Sequence, residues 1–140
     1  MTASTLMLVS AGYLLYVGAL HLALTFTGKL NPQDPDLQLR MRQAPLAMIK
    51  RTDMWRCWTG FNASHSIALM LFGLIYGFLA AKHSQLLFGS PFLLATGLIT
   101  IVSFVVLGTV YWFRRPPYIA LGIPLASYVA SLFVAGASLT

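Results

Sequence analysis

Two imidazoles interrupt long apolar runs of this chain: His21, within Leu6 to Thr27, and His65, within Thr59 to Ala81. An ionisable side chain in hydrocarbon is costly, so it faces a partner, a cavity or a ligand. Imidazole can also exchange a proton near neutral pH. Asn62, His65 and Ser66 stand at i, i+3 and i+4 and share one helix face, and Thr25 lies at i+4 from His21. These residues, with Arg56 nearer the loop, form the candidate binding set.

Much other chemistry is excluded. The sequence has no glutamate, and its three acids, Asp34, Asp36 and Asp53, all lie outside the apolar runs. No pair of carboxylates is placed for acid/base work or for a carboxylate-bridged metal pair. The single cysteine, Cys57, allows no internal disulfide and no CxxC redox pair. Two histidines are too few for a zinc site, and Cys57 is about two helical turns from His65.

The elements that must hold these residues follow from composition. Of 140 residues, 58% are hydrophobic and 9% charged, against about 25% charged in soluble domains. Lipid must therefore act as solvent for much of the chain. Four apolar runs, 6–27, 59–81, 92–113 and 118–139, each match the ~20 residues that a bilayer core requires. The first lacks the positive leader of a signal peptide and reads as a retained span. Helices satisfy their own backbone in lipid, and short links make successive helices antiparallel neighbours. The expectation is an all-α, single-domain protein: a transmembrane up-down four-helix bundle with a short interfacial helix in the first cytoplasmic loop.

Charge predicts the orientation. Net charge is +6, and eight of the nine Lys/Arg fall in the first loop with its flanks and in the Arg114-Arg115 turn. Only Lys82 lies on the other side. The positive-inside rule then places both basic loops in the cytoplasm and both termini outside, in the periplasm for a bacterial inner membrane. The basic balance thus reads as topology, and no nucleic-acid partner is expected. Within the first loop, Asp34 is a natural N-cap with Pro35 at the first helical position. From Pro45 the chain is expected to run as one long helix into the second span, with Lys50, Arg51 and Arg56 at the phosphates and Trp55 and Trp58 as interface anchors. Asp53 is expected to pair with Arg56 at i, i+3. His83 reads as a solvated loop residue.

Depth can be counted. His21 precedes the end of its run by six residues, and His65 follows the start of its run by six. At ~1.5 Å per residue both lie ~9 Å inside the same boundary. Several roles fit two level imidazoles. They can hydrogen-bond across the bundle to hydroxyls or carbonyls. They can line a site, with Asn62, Ser66, Thr25 and Arg56, for a lipid-like or quinone-like amphiphile. They can serve as acid and base in a membrane isomerase or transferase. They can ligate haem b from both faces, provided the helices stand far enough apart. An accessory subunit of a larger membrane complex, or a homo-oligomer, is equally consistent with so small a bundle. Gly73 and Gly77 form a GxxxG seam against a neighbouring helix of this chain or of another copy.

The stretch Trp55-Arg56-Cys57-Trp58-Thr59-Gly60-Phe61-Asn62-Ala63-Ser64-His65-Ser66, with Gly18-Ala19-Leu20-His21 before it, resembles an uncharacterised family of small four-span bacterial membrane proteins carrying a GFNxSH motif. The resemblance covers most of the chain and implies four spans. It implies no reaction.

Overall fold

The computed structural model describes residues 1–112 and 116–137, with 116–120 described as backbone alone. The described part is all-α, with six α-helices: α1 Ala3–Phe26, α2 Pro35–Gln43, α3 Met54–Lys82, α4 Ser84–Gly89, α5 Pro91–Leu107 and α6 Pro116–Ala137. A π-helical turn, Gly108–Trp112, continues α5. Three helices, Ala3–Phe26, Met54–Lys82 and Pro91–Trp112, are long and apolar enough to cross a membrane, and Leu121–Ala137 is a shorter apolar helix. These are the dimensions of a small helical membrane protein. Phe113 at the end of the third expected span, the Arg114-Arg115 turn and the end of the fourth span at Leu139 lie outside the described residues.

The chain divides into two compact units, Met1–Val17 with Leu69–Thr140, and Gly18–Ala68. In the first, Met7, Ala11 and Leu14 of α1, Leu69, Phe72, Tyr76 and Ala80 of α3, Leu87, Ile101, Leu121 and Tyr128 form the core. α1, α3 and α6 contribute residues three, four or seven apart, one stripe per helix, and α4 and α5 add one residue each. The opposite faces are equally apolar: Leu8, Leu71, Leu74, Ile75, Phe78, Ile99, Val106 and Phe133 are all exposed. A helix apolar on every side suits a lipid environment.

Small residues set the approach of these helices. A Cβ on Gly73 would stand 2.6 Å from the Ala11 carbonyl oxygen and 2.7 Å from Leu15 Cβ. The glycine seam of α3 therefore packs on α1 of the same chain. Gly97 of α5 does the same for the aromatic cluster, because an added Cβ would meet Tyr76 and Tyr128. Tyr76 and Tyr128 donate their hydroxyls to the carbonyls of Leu93 (2.7 Å) and Leu94 (2.8 Å). Phe72 stacks on Tyr76 with centroids 4.3 Å apart. Ser10 of α1 donates to the carbonyl of Pro124 within α6 at 2.8 Å. Each of these buried donors has an acceptor, as an apolar interior demands.

The second unit holds the C-terminal part of α1, the first loop and the start of α3. Gly28, at φ 76°, follows the end of α1 in the left-handed conformation that terminates many helices. Asp34 accepts from the Asp36 amide at 2.9 Å, and Pro35 opens α2 as expected. None of the α2 residues is buried. The expected long helix from Pro45 does not form. Residues 44–53 make a closed loop with an antiparallel bridge between Pro45 and Asp53, and α3 starts at Met54. Asp53 is the reason. Its carboxylate accepts the Arg56 amide at 2.8 Å, which is the N-capping bond that begins a helix. Its other oxygen stands 3.5 Å from the Arg56 side chain, as the i, i+3 spacing predicts.

Two further departures concern short elements. The link from Lys82 to Pro91 contains α4, whose Leu87 is fully buried. Six residues are too few for apolar periodicity to reveal a helix. The π turn at the end of α5 has no sequence signature of its own. His83 is exposed, as expected, with its ring 5.2 Å from that of Phe78.

Candidate functional site

All of the candidate site residues belong to the Gly18–Ala68 unit. His21 lies five residues before the end of α1, and His65 eleven after the start of α3. Their rings meet, with centroids 5.2 Å apart and planes at 60°. Counting inward from the ends of the apolar runs anticipates this level meeting. Both imidazoles are half-buried.

Ser66 joins the two helices. Its Oγ is 2.9 Å from Nδ1 of His21 and 2.8 Å from the carbonyl oxygen of Asn62, and the residue is fully buried. A hydroxyl has one proton to donate. The Asn62 carbonyl can only accept, so both contacts are hydrogen bonds at once only when Nδ1 of His21 carries the proton. In that tautomer the lone pair sits on Nε2. Thr25, buried one turn away, donates to the His21 carbonyl at 2.8 Å. Asn62 donates its amide to the Trp58 carbonyl at 2.8 Å, within its own helix. The short Ser, Thr and Asn side chains therefore serve nearby backbone carbonyls, a common arrangement in apolar helices.

The expected set separates into a cluster and an outlier. His21, His65 and Ser66 touch, and Thr25 and Asn62 extend the cluster along their helices. Arg56 stands apart. It precedes His65 by nine residues, roughly 13 Å along the axis, and its side chain is 73% exposed and paired with Asp53. Sequence reasoning passed over Thr59. Its buried Oγ1 has no hydrogen-bond partner among the described residues, and it lies three residues before Asn62 on the same face. The signal was legible, since Thr59, Asn62 and Ser66 recur at helical spacing.

Metal and cofactor roles can be judged from this geometry. No group of three or more potential metal-ligating side chains exists among the described residues. Rings in contact at 5.2 Å leave no gap for a porphyrin between them, so bis-histidine haem ligation does not fit this arrangement. Ser66 is fully enclosed, so it bridges the helices and presents no accessible nucleophile.

Ser66→Ala should remove the interhelical bond and leave His21 Nδ1 without its acceptor. The expected loss is about 1 kcal/mol, read as a lower midpoint in detergent unfolding. Ser64→Ala should leave the midpoint unchanged, because Ser64 is exposed and bonds only within its helix.

No known protein family, curated protein or solved structure matches the chain.

Proposed function

We propose that this chain is a four-span, up-down inner-membrane protein of one transmembrane domain, and that its histidine cluster binds the polar end of an amphiphile. The three long apolar helices and the shorter Leu121–Ala137 support the span count. The eight-to-one division of Lys/Arg supports termini outside and the first loop in the cytoplasm. The absence of any buried residue in α2 suits a helix lying along the headgroups.

One observation carries the site: the meeting of His21 and His65, half-buried in otherwise apolar helices and held by Ser66. A few convergent polar groups in an apolar wall are what fix the head of a lipid-like ligand. With Nδ1 of His21 donating to Ser66, Nε2 is an acceptor. The ligand chemistry this favours is a donor hydroxyl, as on a quinol or a lipid alcohol.

Native mass spectrometry of the detergent-solubilised protein tests the site. Wild type should retain an adduct of lipid mass through detergent exchange. His65→Leu and Asn62→Leu should each reduce its occupancy about tenfold, the equivalent of one lost polar contact. Equal adducts in wild type and both variants, with helicity intact by circular dichroism, would end this reading.

Cys57 tests the topology without mutation. It is exposed and belongs to the cytoplasmic end of α3. A membrane-impermeant maleimide should label it in inside-out vesicles and leave it unlabelled in right-side-out ones. The reverse pattern would invert the proposed orientation.

A further inference from the structure

The loop between α2 and α3 is tied shut at its base. Met54 donates its amide to Ala44 (3.0 Å), Leu46 to Thr52 (3.2 Å) and Thr52 to Ile49 (3.2 Å), beside the Pro45–Asp53 bridge. The Thr52–Ile49 bond closes a turn within the tip, residues 47–51, all of which are exposed. The tip is amphipathic over four consecutive residues. Met48 is 90% exposed and Ile49 50%. Lys50 and Arg51 follow, both exposed. Met48 is the most exposed large apolar side chain among the described residues, and with Ile49 it forms an apolar pair directly beside two cations.

The cations of the tip are also unmatched. The described ion pairs are Arg40 with Asp34 and Arg56 with Asp53, and Arg42 lies over the Trp55 ring at 4.4 Å. Two of the three acidic residues of the chain are thus already paired, and the third, Asp36, lies in the first turn of α2. Lys50 and Arg51 have no ion pair among the described residues.

We propose that this tip is a bilayer anchor. Met48 and Ile49 enter the boundary between headgroups and acyl chains, and Lys50 and Arg51 hold the phosphates of anionic phospholipids. Charge complementarity and position choose this occupant over an acidic soluble protein. The loop leads directly into α3, the longest apolar helix, at Met54. Trp55 and Trp58, stacked with centroids 5.6 Å apart, mark the helix start as the level of the membrane interface, where Trp collects. A tip tethered a few residues from that level is already at the lipid surface. Basic residues beside apolar ones bind anionic leaflets by combining burial with attraction to phosphate. This anchor is independent of the histidine cluster and survives if no amphiphile binds there.

The test uses the full-length protein carrying Cys57→Ser and Met48→Cys, with a nitroxide on residue 48. It is reconstituted in phosphatidylcholine liposomes with and without phosphatidylglycerol. In the anionic bilayer the label should become accessible to oxygen and shielded from a water-soluble nickel relaxant. Lys50→Gln with Arg51→Gln should return it to water, at about fivefold in partition per cation and so about twenty-five-fold for the pair. A label that stays in water in both bilayers overturns the anchor. Immersion that ignores both the anionic lipid and the double substitution overturns its phosphate-binding half.

Discussion

Gly73→Ala should destabilise the protein by up to about 2.5 kcal/mol, and Gly73→Leu should prevent it from folding. The added methyl would stand 2.6 Å from the Ala11 carbonyl oxygen, 2.7 Å from Leu15 Cβ and 2.9 Å from the Leu15 amide nitrogen. Two of these atoms are backbone, so no side-chain rotation relieves the clash and the two helix segments must separate. Overpacking of this kind costs about 1–3 kcal/mol. Alanine regains about 0.5–1 kcal/mol through its better helix propensity, which sets the net figure. Gly60→Ala in the same helix is the control. Nothing stands within 4 Å of its would-be Cβ, so the propensity gain acts alone and the variant should match or slightly exceed wild type. Denaturation in mixed detergent micelles, followed by circular dichroism, gives both values. Equal midpoints for Gly73→Ala and Gly60→Ala would contradict the close packing of α3 on α1.

The second large effect is expected at Tyr128, a fully buried aromatic residue. Tyr128→Ala should cost about 3–5 kcal/mol, the range for emptying a large core position. Tyr128→Phe removes only the hydroxyl bond to the Leu94 carbonyl and should cost about 0.6–1.5 kcal/mol. The contrast separates packing from hydrogen bonding. Gly97 supplies an internal check. Its added Cβ would meet the Tyr128 hydroxyl, but it would also stand 2.8 Å from Tyr128 Cζ and 2.7 Å from Tyr76 Cε1. Gly97→Ala should therefore remain destabilising in the Tyr128→Phe background, though by less than in wild type. Such non-additivity between touching residues is what a double-mutant cycle detects. Strict additivity would place the two residues out of contact.

Both effects arise in helices that carry no amphipathic stripe, and this bears on how legible the chain is. The apolar runs announce their helices, since hydrocarbon admits few other backbones. Asp34-Pro35 marks the start of α2 because a capping carboxylate and a proline both act locally. The same local logic was available at Asp53, whose cap begins α3 at Met54 and ends the idea of one long helix from Pro45. The closed loop needed the pairing of Ala44 with Met54, ten residues apart, which no local pattern announces.

The candidate site shows the same division. The level meeting of His21 and His65 could be counted from helix rise, because rise is constant along any helix. Their burial, and the enclosure of Ser66 between His21 and Asn62, could not. Composition and residue order were enough for an all-α chain with membrane-length helices, because those depend on backbone hydrogen bonding and total apolar length. Which face of each helix meets protein depended on the packed shapes around Gly73, Gly97 and Tyr128. In helices that are largely apolar all round, lipid and core attract the same side chains, so steric fit and the few polar groups that need an acceptor distinguish them.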